Sequence, residues 1–245
     1  MTTDQALVLL FAGPLQAWGV RGGFNDYRDT LDHPTRSGVL GFCACALGRP
    51  RGSAPGDLAE LDLAVRIDRP GTLMEDFHTI GGQSDEEVVP SADGSRRRGA
   101  FLTRRAYRAD AAFTVALTGP DPVLRTLQGA LDHPVYTPYL GRKSCPPATP
   151  YNLGIHHGTV EDILATAPVD RAKPARADTV TAEVITTVPH NHTAGTHAVH
   201  DDPRGGRAFG QRFLARTTIS LPADLCVGND APARYERLHH YRYTT

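Results

Sequence analysis

The sequence is short of lysine, tryptophan, methionine and paired cysteines, and these shortages narrow the classes of protein it can be. Of 245 residues 26 are basic, yet only Lys143 and Lys173 are lysines, which leaves 24 arginines. The net charge is −1, so no overall basic surface draws the chain to nucleic acid, and any anion site has to be local. The four cysteines, Cys43, Cys45, Cys145 and Cys226, contain no CxxC pair, so neither a disulfide framework nor a zinc site is indicated. No stretch approaches the ~20 apolar residues of a membrane span. The apolar run 6–12 is too short for a secretory core and follows Asp4 rather than a basic segment, which makes it a buried strand. A reducing cytoplasm is the expected location, with no membrane contact. HExxH, GxSxG and GxxxxGK[ST] are all missing, and no Ser/His/Asp set is visible, so neither a cofactor nor a metal is expected.

What the sequence does have is arginine, unevenly placed. Guanidinium suits bidentate phosphate contacts and stacking on bases, although an arginine-biased genome explains the total equally well. Six arginines and no acid lie between Arg96 and Arg108, whereas Gln83–Asp93 carries Asp85, Glu86, Glu87 and Asp93 and no base. Residues 81–103 lack apolar periodicity and are too long for an ordinary connection, so they read as a protruding hairpin or loop.

Around this excursion the elements alternate. Thr35 caps a helix over the small-residue run 39–47, closed by Gly48 and Pro50. Leu61–Ile67 and Leu73–Ile80 read as strands, as does Tyr107–Leu117, and Asp121 with Pro122 opens a second helix. The pattern approaches βαββαβ, which places a ferredoxin-like (RRM-like) domain over residues 1–150. Beyond it, a short helix at Thr159–Ala165 and strands at Asp178–Val188 and Arg212–Leu221 form a small β-rich unit, 151–230, giving an α+β protein overall. Residues 231–245 read as a fraying tail.

Four segments could hold a ligand. The turn Gly13–Gly19 offers Gln16 for hydrogen bonding and Trp18 for stacking, unless this sole tryptophan fills the core. Arg36 and Ser37 stand at a helix start, where free N–H groups favour an anion, unless the cap is merely structural. Arg104, Arg105 and Arg108 close the excursion, and Tyr139, Arg142 and Lys143 interleave aromatics with bases, a pattern suited to single-stranded nucleic acid. The bland reading of the arginines is a solvated face. His190, His192, His197 and His200, crowded into eleven residues, read as a solvated loop, as do His156-His157 and His239-His240.

The blocks Gly13–Gly19, Pro34–Gly41, Phe77-His78-Thr79 and Tyr136–Pro146 fall in this order and together resemble the CasD family of the type I-E CRISPR Cascade complex, within the repeat-associated RNA-binding superfamily. The likeness spans most of residues 1–150 and is weaker near Val180–Val184 and Phe213–Arg216. It implies a ferredoxin-like domain with a hairpin thumb, which binds and caps the 5′ handle of the CRISPR RNA. It also implies contacts with the backbone and large subunits, and target DNA reached only through the complex. A non-catalytic RNA-binding subunit is therefore expected. The alternative is a metal-independent endoribonuclease acting on repeat RNA, with His78, Tyr107 and Lys143 as its acid–base candidates.

Overall fold

The computed structural model describes residues 4–20, 26–81, 84, 88–90, 95–189, 196–206 and 208–244. The chain enters through β1 (Gln5–Ala12), buried from Ala6 onward as a strand apolar on both faces requires. The two-residue strands β2 (Leu15–Gln16) and β3 (Tyr27–Arg28) precede α1 (Arg36–Ala46). Next come β4 (Asp62–Arg69), β5 (Thr72–Ile80), β6 (Val88–Pro90), β7 (Arg96–Arg98), β8 (Phe101–Ala109) and β9 (Ala112–Thr118). The second half holds α2 (Asp121–Asp132), β10 (Asn152–His157), α3 (Val160–Thr166), β11 (Thr179–Val188), β12 (Thr196–Pro203), β13 (Phe209–Pro222) and α4 (Ala231–Tyr243).

Seven strands make one antiparallel sheet in the order β10-β1-β9-β4-β11-β13-β12. Alternation along β1 divides the core. Leu7, Leu9 and Phe11 pack with α1 and α2, while Ala6, Val8 and Leu10 pack with α3 and α4 on the opposite face. A second sheet stands beside the first: β8 pairs with β5 along one edge, from Thr72 opposite Ala109 to Ile80 opposite Phe101. Its other edge holds β2 at the base and β3 further out. The strands β6 and β7 pair beyond this hairpin.

Several expectations are corrected. The excursion placed at 81–103 is shorter at its far end, because Phe101–Thr103 already pair with β5; residues 82–83, 85–87 and 91–94 lie outside the described residues. The single strand expected over Tyr107–Leu117 is two strands that meet at Asp110, whose φ of 54° is left-handed. The boundary expected near residue 150 falls inside a continuous sheet. β10 pairs with β1 and β11 pairs with β4, since both of these inner strands expose edges that need partners. Residues 231–243 form α4 rather than a fraying tail: Asp230 caps Ala233 N–H at 3.0 Å and Leu238 is fully buried. The helix is polar on most of its faces, so Leu238 and the half-buried Tyr241 create no legible period. The histidine loop is partly a strand, with His197 and His200 on β12, while His190 and His192 lie outside the described residues. His156 is buried against Tyr241, ring centroids 4.0 Å apart. Burial, followed by the neighbouring His157, holds the His156 pKa below the usual imidazole value. No helix among the described residues is long and apolar enough to cross a membrane.

The two halves are locked by an ion pair with no solvent exposure, Arg66–Asp68 at 2.6 Å on β4. Arg66 donates to the carbonyls of Leu164, Ala167 and Pro168 at the end of α3, and Asp68 accepts from Thr114 Oγ1 and the Asp170 amide. Asp170 in turn accepts from Nε and Nη2 of Arg234 on α4, each at 2.8 Å. Asp68→Ala leaves the Arg66 guanidinium buried without its carboxylate, and is expected to cost about 3–5 kcal/mol, measured as a lower urea midpoint.

Candidate nucleic-acid interface

Two of the residues expected to meet a ligand are core residues. Gln16 is fully buried; its amide donates to Phe11 O (3.0 Å) and Ala111 O (2.8 Å) and accepts from Trp18 Nε1 at 3.1 Å. Trp18 is also fully buried, stacked on Phe11 with centroids 5.5 Å apart. A Cβ at Gly38 would come within 2.8 Å of the Trp18 ring, so this glycine lets α1 lie against the indole. Trp18 therefore fills the core, because a turn that doubles back over the first strand points its one large aromatic inward.

The helix start is filled from within. Thr35 caps Gly38 N–H at 3.2 Å as expected, but the Arg36 amide donates to the carboxylate of Asp201 at 2.6 Å. Arg36 itself is buried, paired with Asp202 at 2.9 Å and donating to Ala59 O and Leu61 O. Asp201, from β12, thus occupies the place a phosphate would take at the N-terminus of α1, and its oxygens also accept from Nε and Nη2 of Arg212, each at 2.8 Å. Ser37 is half-buried, with Oγ 3.3 Å from Thr35 Oγ1.

The remaining residues are at the surface, on two sides of the projecting sheet. Pairing sets Arg104 between Tyr27 and Phe77 on one face, where its side chain is 65% exposed and 3.7 Å from Glu75. By alternation Arg105 turns to the other face, abreast of Arg28. Arg108 is half-buried and donates to Leu31 O at 3.2 Å. Arg142 reaches into the same region: its guanidinium lies 4.6 Å from the Tyr107 ring centre and donates to Ala106 O, Arg28 O and Asp29 O at 3.0–3.3 Å. The result is a cluster of guanidinium groups that composition alone did not locate. Burial, then Arg105, Arg142 and Arg51, lower the pKa of Arg28. Among the described residues no carboxylate pairs with Arg28 or Arg51.

A groove of about 980 Å³ opens over α1 next to this cluster, and Ser37, Gly41, Arg51, Tyr139 and Lys143 line it. Arg51 belongs to both features. Gly141 makes the loop 139–143 possible: its φ is +82°, and a Cβ there would collide with Ala17 O at 1.7 Å. Of the expected set, the structure groups Arg105 with Arg142 at the cluster and Ser37, Tyr139 and Lys143 along the groove. It sets Arg104 on the opposite face of the hairpin sheet, and removes Gln16, Trp18 and Arg36 into the interior. Arg28 and Arg51 were missed because neither has periodic context: Arg28 sits on a two-residue strand whose partner is distant in sequence, and Arg51 sits in a loop where the only signal was an arginine beside Gly52.

Of the acid–base candidates of the enzyme alternative, His78 and Tyr107 stand apart on the hairpin. His78 pairs with Thr103 across the hairpin, four residues along β8 from Tyr107, which the strand rise makes roughly 13 Å. Tyr107 is buried beneath Arg142. His78 lies 3.5 Å from Asp76. Among the described residues no group of three or more metal-ligating side chains could hold an ion.

Fold and site together define an α+β sheet protein with an arginine cluster at the foot of a projecting hairpin. The family described as CRISPR-associated protein (Cas_Cas5) matches residues 6–214, and the chain belongs to that family, on its CasD branch. The Escherichia coli (strain K12) protein named CRISPR system Cascade subunit CasD is 38% identical over 162 residues, covering 60% of this chain and 70% of that protein. A solved chain titled CRISPR RNA-guided surveillance complex superposes with a TM-score of 0.82 at 34% identity, over 97% of this chain and 99% of that one. Another, titled crystal structure of Cas protein, gives 0.66 at 30% identity over 91% and 98%.

Burial separates structural from surface roles in a measurable way. Trp18→Ala is expected to lose about 3–5 kcal/mol of stability, whereas Lys143→Ala, at an exposed position, should stay within about 0.5 kcal/mol. Paired urea titrations of the two variants check this.

Proposed function

We propose that the chain is a non-catalytic subunit of a Cascade-type CRISPR surveillance complex that holds the 5′ handle of the CRISPR RNA. The observation that carries this reading is the cluster of Arg28, Arg51, Arg105 and Arg142, which crowds like charges and opens onto a groove holding Tyr139 and Lys143. Like charges held this close favour a bound polyanion, and single-stranded RNA supplies phosphates for the guanidinium groups and bases for the aromatic. The relatives, a protein named as a Cascade subunit and a chain of an RNA-guided surveillance complex, support the setting. A ferredoxin-like reading of the N-terminal part is supported by the order β10-β1-β9-β4, in which α1 joins β1 to β4 and α2 joins β9 to β10. Exposed Leu73, Phe77 and Leu102 on the projecting hairpin favour contacts with neighbouring backbone or large subunits, and target DNA is reached through the complex. The separation of His78 from Tyr107 favours a binding role over repeat cleavage.

Each RNA phosphate that the protein neutralises contributes roughly 0.7 to the log–log salt slope on a single strand. Arg105→Ala and Lys143→Ala should each weaken binding of handle RNA and lower that slope by about this amount. Tyr139→Ala should cost on the order of 1–3 kcal/mol with the slope nearly unchanged if the ring stacks on a base. Incubated in chelator with its own repeat RNA, the protein should leave the RNA intact; one discrete cut within the repeat would favour the endoribonuclease.

A further inference from the structure

Arg142 was expected to touch RNA, and its geometry argues for another task. Its donors go to three backbone carbonyls, Ala106 O on β8, Arg28 O on β3 and Asp29 O just beyond it, at 3.0, 3.2 and 3.3 Å. The face of the guanidinium lies over the Tyr107 ring at 4.6 Å. A planar fork with its edges on carbonyls and its face on an aromatic has little left to offer a phosphate.

What the fork holds is β3. That strand is two residues long, Tyr27 and Arg28, and pairs in parallel with Arg104 and Arg105 of β8. A strand this short has too few ladder bonds to fix itself, so bonds from outside decide where it sits. Arg142 bridges the two strands from the side, taking one carbonyl of β8 and two from the β3 segment. Held there, Arg28 stands abreast of Arg105 and close to Arg51 and Arg142, in a position that like charges oppose. Among the described residues, nothing of opposite sign pairs with the Arg28 side chain. A group held against repulsion and left without a counter-charge is set up for an anion from outside.

We propose that Arg142 is a positioning residue whose carbonyl bonds hold β3 on β8, and that the Arg28 guanidinium it sets in place binds an RNA phosphate directly. This rests on the RNA-binding reading above and divides the labour within that site. Lysine cannot replace arginine in the first role, because an ammonium cannot span carbonyls of two strands while lying flat on a ring. It could replace arginine well enough in a simple phosphate contact.

The test is a double-mutant cycle on the full-length chain, titrating a synthetic single-stranded RNA of the 5′ handle across a salt series, with each variant's fold checked by circular dichroism. Arg28→Ala should weaken binding about tenfold and lower the salt slope by roughly 0.7. Arg142→Lys should do nearly the same although it keeps the charge, and the double variant should bind no worse than Arg28→Ala alone, because both changes remove one contact. Arg142→Lys binding like the parent, or additive losses in the double variant, would overturn the division. An altered melting temperature with unchanged affinity would assign Arg142 a purely structural role and overturn it as well. Arg28→Ala with an unchanged slope refutes the second half whatever Arg142→Lys does to folding. If the parent chain ignores handle RNA, the RNA-binding reading falls first; if the parent binds and only the cycle fails, that reading stands without this refinement.

Discussion

The buried ion pair between Arg66 and Asp68 is the constraint on which the architecture depends. Two charges at zero exposure are costly unless every remaining donor and acceptor is satisfied, and here the satisfying groups come from distant segments. The Arg66 guanidinium collects carbonyls at the end of α3, where a cation also suits the negative end of the helix. The carboxylate of Asp68 fixes Thr114 on β9 and the amide of Asp170. Through Asp170 the network continues to Arg234 and so to the last helix. One ion pair on a strand in the middle of the sheet thereby ties down α3, the segment 167–170 and α4. Because the pair is less a source of net stability than a demand for specific partners, it selects one arrangement of α3 and α4 among those that hydrophobic burial alone would allow.

A second network does the same on the other face of the sheet. Asp201 accepts from the first amide of α1 and from Arg212, while Asp202 accepts from Arg36, so β12 and β13 are docked to the helix that packs on β1. The consequence for function is that the helix N-terminus, the feature of the sequence most suggestive of an anion site, already has its anion. In the function proposed above, binding falls instead to the loop 139–143, the loop 49–55 and the foot of the hairpin.

The preference for arginine over lysine acquires a structural sense from these contacts. Arg36, Arg66, Arg142 and Arg237 each donate to two or more backbone carbonyls, a role for a planar fork that an ammonium fills poorly. Arginine is therefore used twice, as a strut inside the molecule and as a cation at its surface. Fold and interface draw on the same side-chain chemistry, and position alone separates the two uses.

That separation is set by tertiary structure and is not written in the local sequence. Local signals sufficed for the apolar run of β1, for Thr35 as a cap, for the strands β4 and β5, for α3 to within one residue, and for α2, where Pro120 rather than Asp121 is the cap. Caps and periodicity are written within a few residues of where they act, so they survive in one dimension. The four motif blocks likewise sufficed for the family, because they keep their order along the chain. The fates of Gln16, Trp18 and Arg36 were decided only in three dimensions, since burial depends on what packs above a residue: Ala111 for the first, Phe11 and α1 for the second, and Asp202, more than 160 residues away, for the third. The continuity of the sheet past residue 150 and the helix α4 were invisible for the same reason. An edge strand acquires its partner, and a polar helix its one buried leucine, from segments far off in sequence. The cluster around Arg28 is the clearest case: the strands β3 and β8 and two short loops, each unremarkable alone, contribute to it, and Arg142 from one of those loops bonds to carbonyls of both strand segments.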